Sequence, residues 1–89
     1  MYYVYMAKDP HDKLYTGVTE NPKARVKDHN RQRGANFTKR GLFKTVFLES
    51  YETLAQARQR EIQIKKWRRD KKNMLIDRYL KGLPTERQH

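Results

Sequence analysis

The sequence predicts an α+β fold in which a small, three-stranded and largely antiparallel sheet is flanked by about three helices. Three stretches rich in aromatic and β-branched residues predict the strands, and they are Tyr2–Ala7, Leu14–Thr19 and Thr45–Tyr51. Helix-capping signals follow the second and third stretches, and this order of strands and helices favours layered α+β packing. The 89 residues suit a single domain, which we place at residues 1–82, with a flexible tail at residues 83–89.

The first two strands predict a hairpin. The segment between them, residues 8–12, has the composition of a turn. With a turn symmetric about its centre, Tyr5 lies opposite Tyr15, and Tyr3 lies opposite Gly17. Two phenols are then expected to meet on one face of the sheet, with a glycine leaving space beside them.

Each predicted helix has a recognisable start and end. The first helix runs from Asn21 as N-cap to about Asn30. The second runs from Thr53 as N-cap to about Trp67, and the third from Asp70 as N-cap to Gly82. In the second helix, Leu54, Ala57 and Ile64 recur at helical spacing and predict the buried arc. Glu61 falls in the middle of that arc, which favours a carboxylate in a cleft over a solvated one.

The charge balance predicts a polyanionic partner. The chain has 21 Lys and Arg against 10 Asp and Glu, a net charge of +11, and cations gain by displacing counterions from a phosphate backbone. Nucleic acid is the first partner to consider, while a ribosome-associated protein, a partner of an acidic protein and a merely basic surface are the alternatives. The candidate nucleic-acid contacts are Lys39, Arg40, Lys65 and Arg68. The cluster at residues 65–72 is either such a contact or a solvated junction, with Trp67 in the core.

Several classes of protein are excluded or disfavoured. The absence of cysteine excludes disulfides, thiolate zinc sites and a cysteine nucleophile. No apolar run has the length of a membrane span, and the first residues lack the pattern of a signal peptide. We therefore expect a cytoplasmic protein, with a monomer favoured.

One constellation of residues resembles a known family. Tyr15-Thr16-Gly17 follows Tyr3-Val4-Tyr5, with Tyr15 ten positions after Tyr5, and Arg25, His29 and Glu61 come later in the chain. This order resembles the GIY-YIG nuclease superfamily, and above all its branch of small single-domain endonucleases, over about residues 2–80. One departure is that Tyr3 stands where the motif has its first glycine.

The resemblance implies a metal-dependent endonuclease that hydrolyses DNA. Tyr5 would align or deprotonate the attacking water, Tyr15 would support it, and His29 would hydrogen-bond to Tyr5 or relay its proton. Arg25 would stabilise the charge on the scissile phosphate, and Glu61 would bind Mg²⁺, with Mn²⁺ as an alternative. Branched or damaged DNA in repair or recombination is the expected substrate, and a protein partner is expected to supply specificity.

Each assignment has an alternative. Tyr5 and Tyr15 also suit a pair of structural aromatics in a hairpin, and Glu61 also suits a solvated residue paired with Arg58 and Lys65. Asn73, on the last helix, is a further site candidate that the resemblance gives. For the whole protein, the alternative is a non-catalytic or partner-dependent module that binds DNA or RNA on the same fold.

Overall fold

The protein is represented by a computed structural model, which describes residues 1–25 and 43–85. Three strands form one antiparallel sheet in the order β2-β1-β3, with bounds β1 Tyr2–Lys8, β2 Leu14–Thr19 and β3 Lys44–Tyr51. Three helical segments accompany the sheet, namely α1 at residues 22–25, α2 at Leu54–Lys65 and α3 at Arg69–Leu80. The predicted α+β fold with a three-stranded antiparallel sheet is confirmed.

The hairpin of β1 and β2 has a register two residues away from the predicted one. Tyr5 pairs with Gly17 and Ala7 pairs with Tyr15, so the predicted pairing of Tyr5 with Tyr15 is wrong. The turn has the predicted length of five residues but lies one residue later in the chain, because residues 9–13, and not residues 8–12, connect the two strands. Since the displacement is an even number of residues, Tyr5 and Tyr15 still belong to the same face of the sheet.

Asp9 organises this turn. Its Oδ1 accepts hydrogen bonds from the backbone N–H groups of His11 at 2.8 Å and Lys13 at 2.9 Å, and its own N–H donates to the Lys13 carbonyl at 3.0 Å. Asp12 has a φ of 70°, in the left-handed region that aspartate tolerates better than most residues. These contacts fix a five-residue connection and thereby set the register.

Helices α1 and α2 begin where their capping residues predict. Asn21 Oδ1 accepts a hydrogen bond from the N–H of Ala24 at 3.2 Å. Thr53 and Gln56 form the predicted capping box, with 3.2 Å from Gln56 N to Thr53 Oγ1 and 3.3 Å from Thr53 N to Gln56 Oε1. Because these bonds involve residues three apart in the chain, the sequence was sufficient to predict them.

The buried arc of α2 differs from the predicted one at two positions. Ala57 and Ile64 are fully buried as predicted, but Leu54 is 39% exposed. Leu54 is the first residue of α2, so helical spacing alone places its contact with the core one turn too early. Arg60 is buried together with Ala57 and Ile64, and the side chain of Glu61 is 12% exposed.

Both faces of the central strand β1 carry packed side chains, because successive residues of a strand point to opposite faces. One face, here called the helix face, holds the main core, formed by Val4, Met6, Phe47, Ala57, Ile64, Leu75 and Ile76. The other face, here called the tyrosine face, holds a smaller cluster of Tyr5, Ala7 and Phe43, with Tyr15 and Leu48 packed against it. The strand thus separates the main core from the face that carries both motif tyrosines.

Helix α3 starts two residues earlier than predicted. Arg68 is its N-cap residue, whereas Asp70 lies in the first turn. Arg69 holds that turn in place, because its Nε donates to Asn73 Oδ1 at 3.0 Å and its Nη2 donates to Asp12 Oδ2 at 3.1 Å. Arg68 makes no side-chain capping hydrogen bond, so no local capping pattern marks this start in the sequence.

The chain leaves α3 at Gly82, which has a φ of 74° and ends the helix as predicted. Arg78 Nε then donates to the carbonyl of Pro84 at 2.8 Å. Residues 86–89 lie outside the described residues, and the domain boundary at residue 82 stays a prediction. Across the described ranges, no helix combines the length and the apolar character needed to cross a membrane.

Candidate functional site

Tyr5 and Arg25 form the centre of a candidate site on the tyrosine face. Tyr5 is only 4% exposed, and Arg25 Nε donates a hydrogen bond to its phenol oxygen at 3.1 Å. Arg25 lies in α1, in the turn that Asn21 caps, and is exposed to solvent. A buried phenol is therefore bound to a cation that a phosphate group in solution can reach.

Gly17 leaves the space that the Tyr5 ring occupies. A Cβ atom at Gly17 would lie 2.7 Å from the phenol oxygen and 2.9 Å from both Cε1 and Cζ of Tyr5. Any larger residue would therefore collide with the ring. The predicted glycine space beside a motif phenol exists, and the ring of Tyr5 itself fills it.

Tyr15 supports the hairpin turn on the same face. Its hydroxyl donates to Asp9 Oδ2 at 3.4 Å, and its ring packs against Phe43 with 5.2 Å between centroids. Burial raises the pKa of Asp9, but hydrogen bonds from the backbones of Lys13 and His11 and from Tyr15 outweigh burial and hold this pKa below its ordinary value. Asp9 is thus an anionic anchor for Tyr15, and the predicted catalytic support by Tyr15 stays a prediction.

Glu61 is the candidate metal ligand, and its side chain is 12% exposed. Its Oε2 pairs with Lys65 Nζ at 3.2 Å. Helix α2 packs on the helix face of the sheet, whereas Tyr5 and Tyr15 lie on the tyrosine face. No group of three His, Cys, Asp or Glu side chains that could hold a metal occurs within residues 1–25 and 43–85. A divalent ion at Glu61 would complete its coordination with water, substrate oxygens or residues outside these ranges.

The other predicted site residues fall into two groups. Lys65 and Arg68 are exposed at the junction of α2 and α3, and Asn73 lies in the first turns of α3, where its Oδ1 accepts the bond from Arg69. Three residues lie outside the described part of the chain, and they are His29, Lys39 and Arg40. The structure thus joins one predicted pair directly, and the roles of the remaining residues stay predictions.

A buried ion pair on the helix face was not predicted. Arg60 Nε donates to Glu49 Oε1 at 2.8 Å and its Nη2 donates to Oε2 at 3.2 Å, with side-chain exposures of 9% and 2%. Tyr51 also donates to Glu49 Oε1, at 2.8 Å. Strand alternation was the available signal, since Glu49 shares a face with the buried Phe47. The pair ties α2 to β3 directly beside Glu61.

Comparison with known proteins shows the family to which the chain is similar. The chain matches the GIY-YIG catalytic domain over residues 1–74. A UPF0213 protein of Clostridium perfringens is 44% identical over 77 residues, which cover 85% of this chain and 83% of that protein. A UPF0213 protein of Staphylococcus aureus is 43% identical over 76 residues, which cover 84% of this chain and 93% of that protein. The similarity therefore spans most of each protein.

A solved structure shows the same architecture. The solution NMR structure of a UPF0213 protein from Bacillus halodurans has a TM-score of 0.57 and 32% sequence identity, covering 86% of this chain and 84% of that chain. The domain match includes the positions of Tyr5, Arg25 and Glu61. The chain therefore belongs to the GIY-YIG family, within a small single-domain branch that includes the UPF0213 proteins.

Proposed function

We propose that this protein is a metal-dependent endonuclease that hydrolyses phosphodiester bonds in DNA. The GIY-YIG family is a nuclease family, while the UPF0213 names of the relatives state no activity. The metal, the DNA substrate and the mode of cleavage therefore belong to our proposal and not to the family match. Within DNA, we propose branched or damaged structures of the kind that arise in repair and recombination.

The hydrogen bond between Arg25 and Tyr5 is the observation that carries this proposal. In hydrolysis the oxygen of a water molecule bonds to phosphorus, one P–O ester bond breaks, and a proton of the water ends on the leaving oxygen. Arg25 would contact the phosphate and stabilise its growing negative charge. Tyr5, held at 3.1 Å from that guanidinium, would orient the attacking water, with His29 as the proposed relay for its proton.

Glu61 is the residue that we propose as the ligand of Mg²⁺ or Mn²⁺. A carboxylate is a hard oxygen ligand, and Mg²⁺ commonly takes one or two protein carboxylates while it keeps several waters. The present partner of Glu61 is Lys65, whose exposed side chain can turn away to make room for an ion. A bound ion would supply positive charge to the phosphate and leaving oxygens.

The charge of the molecule supports a nucleic-acid substrate. The net charge of +11 favours binding to a phosphate backbone, and we propose Lys39, Arg40, Lys65 and Arg68 among the contacts. The roles of Tyr15 beside Tyr5 and of Asn73 on α3 are part of the same proposal. Target choice would come from a protein partner.

Cleavage of labelled DNA by the purified protein tests the proposal. Duplex, single-stranded and branched substrates are incubated with Mg²⁺, with Mn²⁺ or with a chelator. We expect metal-dependent cleavage that Glu61→Gln abolishes without loss of DNA binding, because the variant keeps the shape of the side chain but loses its charge. Glu52→Gln removes the same charge from an exposed position just before α2 and is the matched control.

Two results would contradict parts of the proposal. Equal cleavage by Glu61→Gln and Glu52→Gln would remove Glu61 as the metal ligand. Binding without metal-dependent cleavage by the wild-type protein would favour the alternative, a non-catalytic or partner-dependent module that binds DNA or RNA. The monomeric state and the cytoplasmic location stay predictions.

A further inference from the structure

A cleft of about 250 Å³ opens on the helix face, and its lining residues are Arg60, Gln63, Trp67, Lys71, Leu75 and Thr85. Arg60 connects the cleft to Glu49, which is the sheet partner of Val4. Since Val4 and Tyr5 are neighbours in β1, their side chains lie on opposite faces of the sheet. The cleft is therefore separate from the pair formed by Tyr5 and Arg25.

An aromatic ring with two cations close to it lines the cleft. Lys71 Nζ lies 4.3 Å from the centroid of the Trp67 ring, and Arg60 Cζ lies 5.2 Å from it. Arg60 is held by bonds to Glu49, to Gln63 and to the carbonyl of Thr85, so it is a fixed wall. Lys71 is exposed on α3, and its flexible side chain can leave the ring.

The polypeptide around Trp67 is strongly basic. Residues 65–72 contain six Lys or Arg and one Asp. Two of these cations form ion pairs, Lys65 with Glu61 on α2 and Arg69 with Asp12 in the hairpin turn. The cleft thus lies within a surface that attracts a phosphate backbone.

We infer that this cleft binds one unpaired nucleotide of a single-stranded nucleic acid. The base would stack on Trp67 in place of the Lys71 ammonium, and Lys71 would move to the adjacent phosphate. A base inside a duplex is already stacked between its neighbours, so it cannot enter a cleft without being flipped out. The occupant is consequently an overhang, a gap, a bulge or a single strand.

The fluorescence of Trp67, the only tryptophan of the chain, reports on this contact directly. The protein is titrated in the presence of a chelator, so that no metal-dependent cleavage occurs. The ligands are a short oligothymidylate, the matching oligouridylate, an abasic strand of equal length and a blunt duplex. Saturable quenching by the strands that carry bases is expected, with much weaker quenching by the abasic strand and the duplex. Whichever of the oligothymidylate and the oligouridylate binds more tightly shows whether the cleft prefers DNA or RNA.

Variants separate stacking from general charge. Anisotropy of a labelled oligothymidylate is expected to show about tenfold weaker binding for Trp67→Leu, in the range for loss of one base–aromatic stack. Lys71→Gln should weaken binding more than Lys72→Gln, which removes the same charge from the next residue of α3. Circular dichroism checks that each variant is folded. If Trp67→Leu does not fold, the comparison of Lys71→Gln with Lys72→Gln still tests the inference.

Three outcomes would overturn the inference. They are equal quenching by the abasic strand and the oligothymidylate, binding seen by anisotropy with unchanged Trp67 fluorescence, and equal losses for Lys71→Gln and Lys72→Gln. Every binding measurement is made in the presence of a chelator and does not depend on cleavage. A protein that fails to cleave DNA can therefore still show nucleotide binding. Failure of the proposed nuclease activity and failure of this site are therefore distinguishable.

Discussion

Gly17 is important because it has no side chain, which leaves room for the ring of Tyr5. The Tyr5 ring fills the space where a Cβ would project, and Arg25 holds the phenol oxygen of that ring. An added methyl group must displace the ring, so close packing and the hydrogen bond to Arg25 cannot both be kept. A single glycine thus links the stability of the hairpin to the geometry of the candidate site.

We expect Gly17→Ala to lower the free energy of unfolding by about 1–3 kcal/mol, the usual cost of overpacking, and to slow DNA cleavage. Urea denaturation measures the first effect, and cleavage of labelled DNA measures the second. In a Tyr5→Ala background the added methyl meets no ring, so Gly17→Ala should cost little stability there. Equal costs in the two backgrounds would show that the Tyr5 ring is not the cause.

Among the elements, helix starts with local caps could be predicted, while the strand register could not. Asn21 and Thr53 bond to groups three residues away, so the capping pattern is complete within a short stretch of sequence. The register of β1 and β2 depends on where the turn begins, and Asp9 sets this by bonding to the backbone of Lys13 at the other end of the turn. A turn centred on the predicted residues 8–12 therefore misplaces the partner of Tyr5 by two residues.

The turn should make the hairpin sensitive to acid. Because the pKa of Asp9 is lowered in the folded protein, the carboxylate contributes stability above its ordinary value of 3.8 and loses this contribution as pH falls below it. We expect Asp9→Asn to cost about 1–2 kcal/mol at neutral pH, as the charge-assisted bonds weaken. Urea denaturation at several pH values should show this difference shrinking toward about pH 3.

The control for this prediction is Asp77→Asn, which removes a carboxylate that is 62% exposed and pairs with Lys81 on α3. Exposed pairs contribute little to stability, so this variant should stay close to the wild type at every pH. A stability difference for Asp9→Asn that persists unchanged into acid would mean that the charge of Asp9 does not stabilise the turn.

The Glu49–Arg60 pair shows a second limit of prediction from sequence. Charged residues are rarely buried, so a glutamate in a strand and an arginine in a helix are both expected at the surface. Burial becomes acceptable only when the two ions meet with two short hydrogen bonds, which depends on how α2 crosses β3. The pair fixes α2 on the sheet and thereby the segment that carries Glu61.

For the molecule as a whole, the sequence selected two residues of the candidate site that lie in contact, and it did not indicate the cleft beside Trp67. The motif resemblance selected Tyr5 and Arg25, and their hydrogen bond joins residues 20 positions apart. Nothing in a linear pattern indicated the cleft beside Trp67, because its walls come from α2, α3 and the segment after α3. Residues that act together were predictable where a family motif linked them, whereas contacts created by packing were not.

The net charge of +11 implies that duplex DNA binding weakens steeply with salt, and the position of each cation should determine its share. Arg68 is exposed at the α2–α3 junction, where we place the DNA backbone, so Arg68→Gln should reduce the slope of log K against log salt by about 0.9 for one lost phosphate contact. Lys81→Gln removes the same charge at the far end of α3, where Lys81 pairs with Asp77 at 3.0 Å, and should change the slope little. Anisotropy titrations in chelator over a range of salt concentrations measure both slopes. Equal changes would show that DNA responds to the total charge of the protein rather than to this junction.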